Sequence, residues 1–401
     1  MKTIYIAAYH QSKFGKLMGM TVPEILRAAV EGACGGIGAA PEALDVASVG
    51  AACNQTLNQQ GLLAGLLAET PGLAGKMIES VENACASGGQ AVLSVAQKLL
   101  LGFGETGIAV GYEKMRGPDG KVDGKRIGEV LGYYSHPDER PGKVFVFPHI
   151  FAEIMQQYMA AYGVSEEHLA RIAVEEYACA RHNPYAQMQG VELTLEQAMR
   201  IEGVNRYVVG GLPLKTYDCS QITDGYAALI LATEEGLARL GVRRQDAVEL
   251  AGYGQATDPL SRSGRDVLKP QAALNAMRQA YSMAGASPAD VNIAEIHDCF
   301  TVMAALGAEV IGMAEPGRGA QFWADGHARV NARCAINSSG GLIAKGHPVG
   351  ATGVAMIGWC FWQLTGRAPA PLQVREPRLA ATFNIGGPVC ASVCTVLRRA
   401  A

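Results

Sequence analysis

The feature that most constrains this chain is an internal repeat. The segment "AVEGACGGIGAAPEALDVASVG" (29–50) can be laid on "AMRQAYSMAGASPADVNIAEIH" (276–297). Gly38 falls on Gly285, Pro41 on Pro288, Val46 on Ile293 and Val49 on Ile296. Each copy predicts an amphipathic helix, a glycine stop, a proline turn and a short β-branched strand. Each is preceded by a strand, "TIYIAAY" or "VELAGYG", and followed by a Gly-rich turn that opens another apolar helix. Those openings read "CASGGQAVLSVAQKLLLG" in the first half and "GHPVGATGVAMIGWCFWQLTG" in the second. Order, spacing and turn chemistry agree. They predict a duplicated α/β chain in which each half is a sheet covered by helices.

The first half is interrupted. Charged, Gly-rich sequence, "RGPDGKVDGKRIGE", gives way to helical periodicity in "FAEIMQQYMAAYG" and "SEEHLARIAVEEYACARH". Strand character returns at "YAALILAT" (226–233). The expected organisation is an N-terminal half at 1–115, an inserted loop domain at 116–216, the return of the first half at 217–243 and a C-terminal half at 244–401. Insertions usually carry substrate contacts, so this one is expected over the mouth of the active site.

Composition removes several function classes. The formal net charge is −3 and there is no basic stripe, which argues against nucleic acid as a partner. No apolar run approaches a membrane span, and the N-terminal "MKTIYIAAYHQSKFG" lacks the apolar length of a signal peptide. Ten cysteines are scattered without a C-x-x-C pair. Neither a disulfide scaffold nor a metal site is expected, and a reduced cytoplasmic setting fits best.

Four places carry candidate chemistry. Cys85, in "VENACASGGQ", stands where a helix begins, so the helix dipole and free N–H groups would favour a thiolate or bind an oxyanion. Taken alone, it would more often be an inert buried thiol. His347, in "KGHPVGATG", precedes the matching helix of the second half, where an imidazole could accept a thiol proton. His297 and Cys299, in "EIHDCFT", follow a strand end, the usual place for ligands in α/β sheets. Strand alternation puts these two on one side and Asp298 on the other. Finally, Gly386 and Gly387 in "TFNIGGPVCASVCTVL" allow close backbone approach.

Together these motifs resemble the thiolase family over nearly the whole chain. "NACASGG" is similar to the family's nucleophile block and "KGHPVGATG" to its G-H-P block. The family's N-E-A-F block is replaced by "HDCF" (297–300), which resembles the sterol carrier protein x branch, as do "ARHNPYAQ" and "CSQITDGYAALILAT". Asn384 stands where most thiolases have a second catalytic cysteine; in that branch the H-D-C-F cysteine, here Cys299, takes its place. Tyr226, where a small Ala is usual, and the bulky "FVFPHIF" (145–151) also depart from the family pattern and bear on the acyl preference. No fused sterol-carrier domain is expected.

The resemblance implies an α/β, thiolase-like fold: two pseudo-symmetric βαβαβαββ halves in a five-layered αβαβα arrangement, with an inserted loop domain. It implies cleavage of a 3-oxoacyl-CoA with CoA, or the reverse Claisen condensation, through an acyl-cysteine. Cys85 would be the nucleophile, His347 its proton acceptor and Cys299 the acid/base. One oxyanion hole would use the N–H groups of Cys85 and Gly386, and a second would use His347 with a group near His297. Coenzyme A enters as substrate, with no permanently bound cofactor and no metal. Its contacts are unmarked: Lys114, Arg116, Lys121, Lys125 and Arg126 could meet its phosphates or form a solvated face. Aromatic or branched acyl groups are candidates, benzoylsuccinyl-CoA among them. Rival readings are an acetoacetyl-CoA thiolase, a ketosynthase, a retro-aldolase or a non-catalytic acyl-CoA-binding subunit. A homodimer or larger assembly is expected, with first-half sheets pairing across a two-fold axis. A small zinc-ribbon/OB-fold subunit is a candidate partner.

Overall fold

The structure, a computed structural model, describes residues 2–400. Its strands are β1 (Tyr5–Gln11), β2 (Val46–Gly50), β3 (Met77–Val81), β4 (Thr106–Glu113), β5 (Gly225–Ala232), β6 (Val248–Thr257), β7 (Ile293–Ile296), β8 (Ala335–Ile336), β9 (Leu379–Gly386) and β10 (Ala391–Arg399). They run in the order β3-β2-β4-β5-β1-β6-β10-β9-β7-β8. Only Tyr5↔Glu249 and Ile6↔Val248 join β1 to β6. Divided there, the order is the same on both sides, with β6 to β10 replacing β1 to β5 in turn. Strand directions repeat as well. β2 is parallel to β3 and β4, as β7 is to β8 and β9. β5 is antiparallel to β4 and β1, as β10 is to β9 and β6.

The repeat explains the local structure. Helix Val22–Gly35 starts at a Thr21/Glu24 capping box, and its counterpart, Gln271–Ala284, follows Pro270. Beyond each helix lies one of the aligned glycines, Gly38 (φ 67°) or Gly285 (φ 59°), in a left-handed conformation that favours glycine. Short 3-10 turns at Pro41–Ala43 and Pro288–Asp290 then lead into β2 and β7.

Helix Val22–Gly35 covers the outer face of the first sheet, burying Ile25, Leu26 and Val30 against Tyr5, Ile108 and Ile230. Helix Gln271–Ala284 covers the outer face of the second sheet. Between the sheets lie the two helices that follow the candidate motifs, Ser87–Leu100 and Val349–Leu364. They share one core with Ile6 and Leu229 from one sheet and Ile293 and Ala380 from the other. This gives the expected five layers. Glycines let the central helices touch: a Cβ on Gly88 would lie 2.5 Å from the Gly350 oxygen, and one on Gly353 2.2 Å from the Gly89 nitrogen. The sequences "SGG" and "GATG" are thus a packing requirement as well as a motif. Between β4 and β5 the chain leaves the sheet to form helices Gly124–Gly132, Val146–Tyr162 and Glu166–Ala180.

Candidate active site

The paired central helices begin at the same crevice, and their N-terminal turns hold the candidate groups. Ala84 is in the left-handed region (φ 47°), unusual for a residue with a Cβ, and aims Cys85 out of a tight turn. Ser87 Oγ accepts from the Asn83 N–H at 2.8 Å and donates to the Ala84 carbonyl at 2.6 Å, which closes that turn. Donor atoms of Cys85, His297 and His347 all lie within 4.8 Å of one another.

The two imidazoles are opposite tautomers. The Thr352 hydroxyl donates to the Pro348 carbonyl at 3.0 Å, so it accepts from His347 Nδ1–H at 2.7 Å. That leaves His347 Nε2 with a free lone pair. The backbone N–H of His347 donates to Thr223 Oγ1 at 3.0 Å, which fixes the loop. At His297 the donor is Asn384 Nδ2, which lies 3.0 Å from His297 Nδ1 and 3.1 Å from the Cys85 carbonyl. Nδ1 therefore accepts, and Nε2 carries the hydrogen. This buried Nε2 has no protein partner. Its N–H favours a hydrogen-bond acceptor there, so the cluster reads as a thiol with one base and one donor. Burial and Lys345 push His347 down to about 3; burial and His347 push His297 well below the usual histidine range. Both rings are neutral at physiological pH.

Cys85 departs from the sequence expectation. Burial pushes Cys85 up to about 12, helped by the charges of Glu113 and Glu82 and opposed by the N–H groups of Cys85 and Gly387. The resting group is a thiol: desolvation outweighs the helix terminus. Cys299 is also pushed well above the usual thiol range, first by burial and then by charge at Cys85. The N–H groups that favour charge at the Cys85 sulfur include its own and that of Gly387. Gly386 ends β9 with its Cα packed on Asn83, where a Cβ would lie 2.2 Å from the carbonyl oxygen. Gly387 takes φ 64° and turns toward the cavity.

That cavity measures about 250 Å³ and is lined by Cys85, His297, Cys299, His347 and Gly387 on one side. Phe145, Phe147, Pro148, Leu131 and Val208 of the 116–216 segment form the other side, and Phe300 stacks on Phe151 at 4.6 Å. Asp298 points away and accepts from the N–H groups of Leu342 and Ile343. Tyr226 does not reach the cavity: it packs in the outer core beside His10, because β5 alternation turns it toward helix Val22–Gly35. A second cavity shares Met115, Gly124 and Ile127 with the first and is lined by Lys114, Arg116, Lys121 and Arg126. Arg116 there donates to the carbonyls of Gly15, Gly120 and Ile222, Lys114 donates to that of Met20, and Lys121 pairs with Asp119. The exposed Lys125 is outside that lining.

Residues 4–235 match the family described as "Thiolase, N-terminal domain", and residues 254–399 match "Thiolase C-terminal domain-like". The chain belongs to the thiolase family. It is 33% identical over 387 residues to the acetyl-CoA acetyltransferase of Methanothermobacter thermautotrophicus, covering 96% of this chain and 97% of that protein. It is 29% identical over 395 residues to the benzoylsuccinyl-CoA thiolase subunit BbsB of Thauera aromatica, covering 96% and 95%. Among solved structures, an Ltp2-ChsH2(DUF35) aldolase shares the fold, with a TM-score of 0.79 at 20% identity over 99% of this chain and 98% of that one. This thiolase is an acyltransferase. Among its described residues no helix is long and apolar enough to cross a membrane.

Sequence reasoning missed three groups of this thiolase site. Thr352 sits inside "GATG", one helical turn beyond Pro348, and the i, i+4 spacing was the available signal. Asn384 was read as a lost cysteine, yet it ties the His297 ring to the Cys85 backbone. Glu113 accepts from the N–H groups of Ala52, Cys53 and Gly350 at 3.0 Å each, joining the two halves. No sequence signal marks it.

Proposed function

We propose that this thiolase cleaves a 3-oxoacyl-CoA with CoA, or runs the reverse condensation, through an acyl-Cys85 thioester. The observation that carries this is the meeting of the Cys85 sulfur with two imidazoles of opposite tautomer in one apolar cavity. His347 Nε2 takes the Cys85 proton as sulfur attacks the 3-keto carbon, so charge forms only during attack. The N–H groups of Cys85 and Gly387 receive the oxyanion. Breaking the bond between the keto carbon and the α-carbon leaves an acyl-Cys85 thioester and the enolate of a CoA thioester. His297 Nε2–H hydrogen-bonds the enolate oxygen, and Cys299 gives a proton to its carbon. Cys299 then deprotonates incoming CoA, whose sulfur displaces Cys85 from the acyl group, and the departing Cys85 sulfur takes its proton back from His347.

Cys299 at the cavity wall supports the sterol carrier protein x type of this reaction. It separates the thiolase from a ketosynthase, which would need only the cysteine and two histidines. The Phe145, Phe147 and Phe300 wall favours a compact aromatic or branched acyl group. Benzoylsuccinyl-CoA is the aromatic candidate, although its free carboxylate would meet no Lys or Arg among the described lining residues. Assembly is proposed as a homodimer through β3, which ends the sheet order and leaves one edge unpaired. A small zinc-ribbon/OB-fold subunit is a second candidate partner; the fold neighbour Ltp2-ChsH2(DUF35) aldolase, with two names joined, supports looking for one.

Intact-mass spectrometry tests the central claim. Mixing with acetyl-CoA should add one acetyl group, mapped to Cys85, and acetoacetyl-CoA plus CoA should yield acetyl-CoA. Acetylation at another thiol, or no thiolysis of any 3-oxoacyl-CoA, would overturn it.

A further inference from the structure

Behind the cavity lies a buried acidic cluster that the reaction itself does not use. Glu176, on helix Glu166–Ala180, is 1% exposed, and Asp298 is fully buried between His297 and Cys299. The two carboxyl groups converge on Gly341. A Cβ there would lie 2.4 Å from Asp298 Oδ2 and 2.5 Å from Glu176 Oε1. Gly341 itself has φ 57° and opens a π-helical turn, Gly341–Lys345, which ends two residues before His347. Asp298 accepts from the N–H groups of Leu342, at 2.8 Å, and Ile343, at 3.0 Å, in that turn. Glu176 Oε1 accepts from Asn337 Nδ2 at 2.9 Å, and Asn337 Oδ1 accepts from the Ile296 N–H at 2.7 Å. One carboxyl group thus touches both chains of contacts. One leads through Asn337 to the backbone just before His297. The other leads through Asp298 to the turn that carries His347.

Among the described residues, no cation pairs with either carboxyl group. Lys345 lies 3.5 Å from Glu295 Oε2, and Glu295 also accepts from the Ser339 hydroxyl and N–H. Two carboxyl groups this close and this buried cannot both be ionised. The N–H groups of Leu342 and Ile343 favour the anion at Asp298, while burial and Asp298 hold Glu176 protonated.

We propose that Glu176 is a positioning residue: facing Asp298 across Gly341 as its neutral partner and bonded to Asn337, it sets the loops that carry His297, Cys299 and His347. Glu176 touches no reacting atom. The assignment rests on the catalytic roles proposed above for those three residues.

Two variants test it. In Glu176→Gln the amide can still donate to Asp298 and accept from Asn337. In Glu176→Leu the Asn337 bond and the polar contact with Asp298 at Gly341 are lost at similar volume. Misplacement of catalytic groups by about 1 Å costs roughly a hundredfold in rate. Glu176→Leu should therefore lose about a hundredfold in kcat with KM within about threefold, and Glu176→Gln should keep kcat within about threefold. Wild-type thiolysis of acetoacetyl-CoA is the control: if it is absent, the thiolase reading fails rather than this one.

Thermal stability gives a readout independent of activity. A glutamate kept protonated in the fold but ionised in the unfolded chain destabilises the fold as pH rises above about 4.3. The loss stops growing once pH passes the folded-state value. The titratable groups around Glu176 are Asp298, Glu295 and Lys345, with Tyr177 and Cys179 on its own helix. All but Glu176 are common to both proteins. The melting temperature of Glu176→Gln relative to wild type should become more favourable from pH 5 to pH 8. A flat or falling difference would overturn the proposal. So would a Glu176→Gln variant that loses about as much kcat as Glu176→Leu, or a fully active Glu176→Leu. If Glu176→Leu does not fold, the Gln variant decides through its kcat and its melting profile.

Discussion

The two halves share one scaffold and differ where the chemistry sits. In the second half, β9 and β10 are joined by a tight turn between Gly386 and Ala391; in the first, β4 and β5 are separated by everything from Lys114 to Asp224. The long excursion brings Phe145 and Phe147 to the cavity, and the tight turn brings the Gly387 N–H toward the Cys85 sulfur. The repeat sharpens the contrast. His297 aligns with Gly50, and a Cβ on Gly50 would lie 2.3 Å from the Ser87 carbonyl oxygen. Where one half must stay bare to seat the nucleophile's helix, the other presents an imidazole. Duplication supplies two helix N-termini at one crevice. In the proposed reaction, divergence makes one the nucleophile's site and the other the base's.

The sharpest way to break this division of labour is to remove Cys299, the thiol supplied by the second half. General acid–base groups contribute about two to four orders of magnitude in rate. Cys299→Ala should lower thiolysis by that range; acetyl transfer from acetyl-CoA onto Cys85, the reverse of the CoA step, should slow less, because a leaving thiolate needs a proton less than the enolate carbon does, read by intact mass beside steady-state rates. Turnover close to wild type would place the second proton-transfer group elsewhere and leave the H-D-C-F block without its assigned role.

The duplicated scaffold was legible in the sequence because helix period, glycine stops and proline turns are local signals, and Gly38 and Gly285 carry them in register. The meeting of Cys85, His297, Cys299 and His347 was legible only through motifs. Two features were not. The ionisation of Cys85 depends on how much water the fold removes, and a helix N-terminus in the sequence says nothing of that. The place of Tyr226 depends on strand register: it belongs to the outer core, although its neighbours in the motif border the site.

Alkylation separates the two views of the first-half helix terminus. A thiolate held by that terminus would react with iodoacetamide at a rate already level near neutral pH. A thiol pushed up to about 12 reacts through its small ionised fraction. Its rate should keep climbing to pH 9 without a plateau, more shallowly near pH 7, where Glu113 gains the charge that opposes the thiolate, and about tenfold per pH unit above that. His347, held at about 3, stays neutral throughout and adds no inflection. The check is the rate of carbamidomethylation mapped to Cys85; a plateau below pH 8 would restore the helix-terminus view.

The smallest expected effect concerns the second half alone. Thr352 gives His347 its tautomer by accepting from Nδ1–H while donating to Pro348. Valine has nearly the same shape and no hydroxyl. In Thr352→Val the buried Nδ1–H loses its acceptor, at a cost of about 1–3 kcal/mol if the tautomer is kept. The ring can avoid that cost by moving the hydrogen to Nε2, where it can no longer take the Cys85 proton. Either way the base weakens without leaving its place. Acylation should slow by about tenfold, at the low end of what such a loss implies. The second step should be less affected, because Cys299 is the proposed base for CoA. Rapid-quench measurement of acyl-Cys85 formation beside steady-state turnover distinguishes the two. Equal slowing of both steps would mean that Thr352 supports the crevice as a whole, and that the tautomer of His347 is held by something other than its hydroxyl.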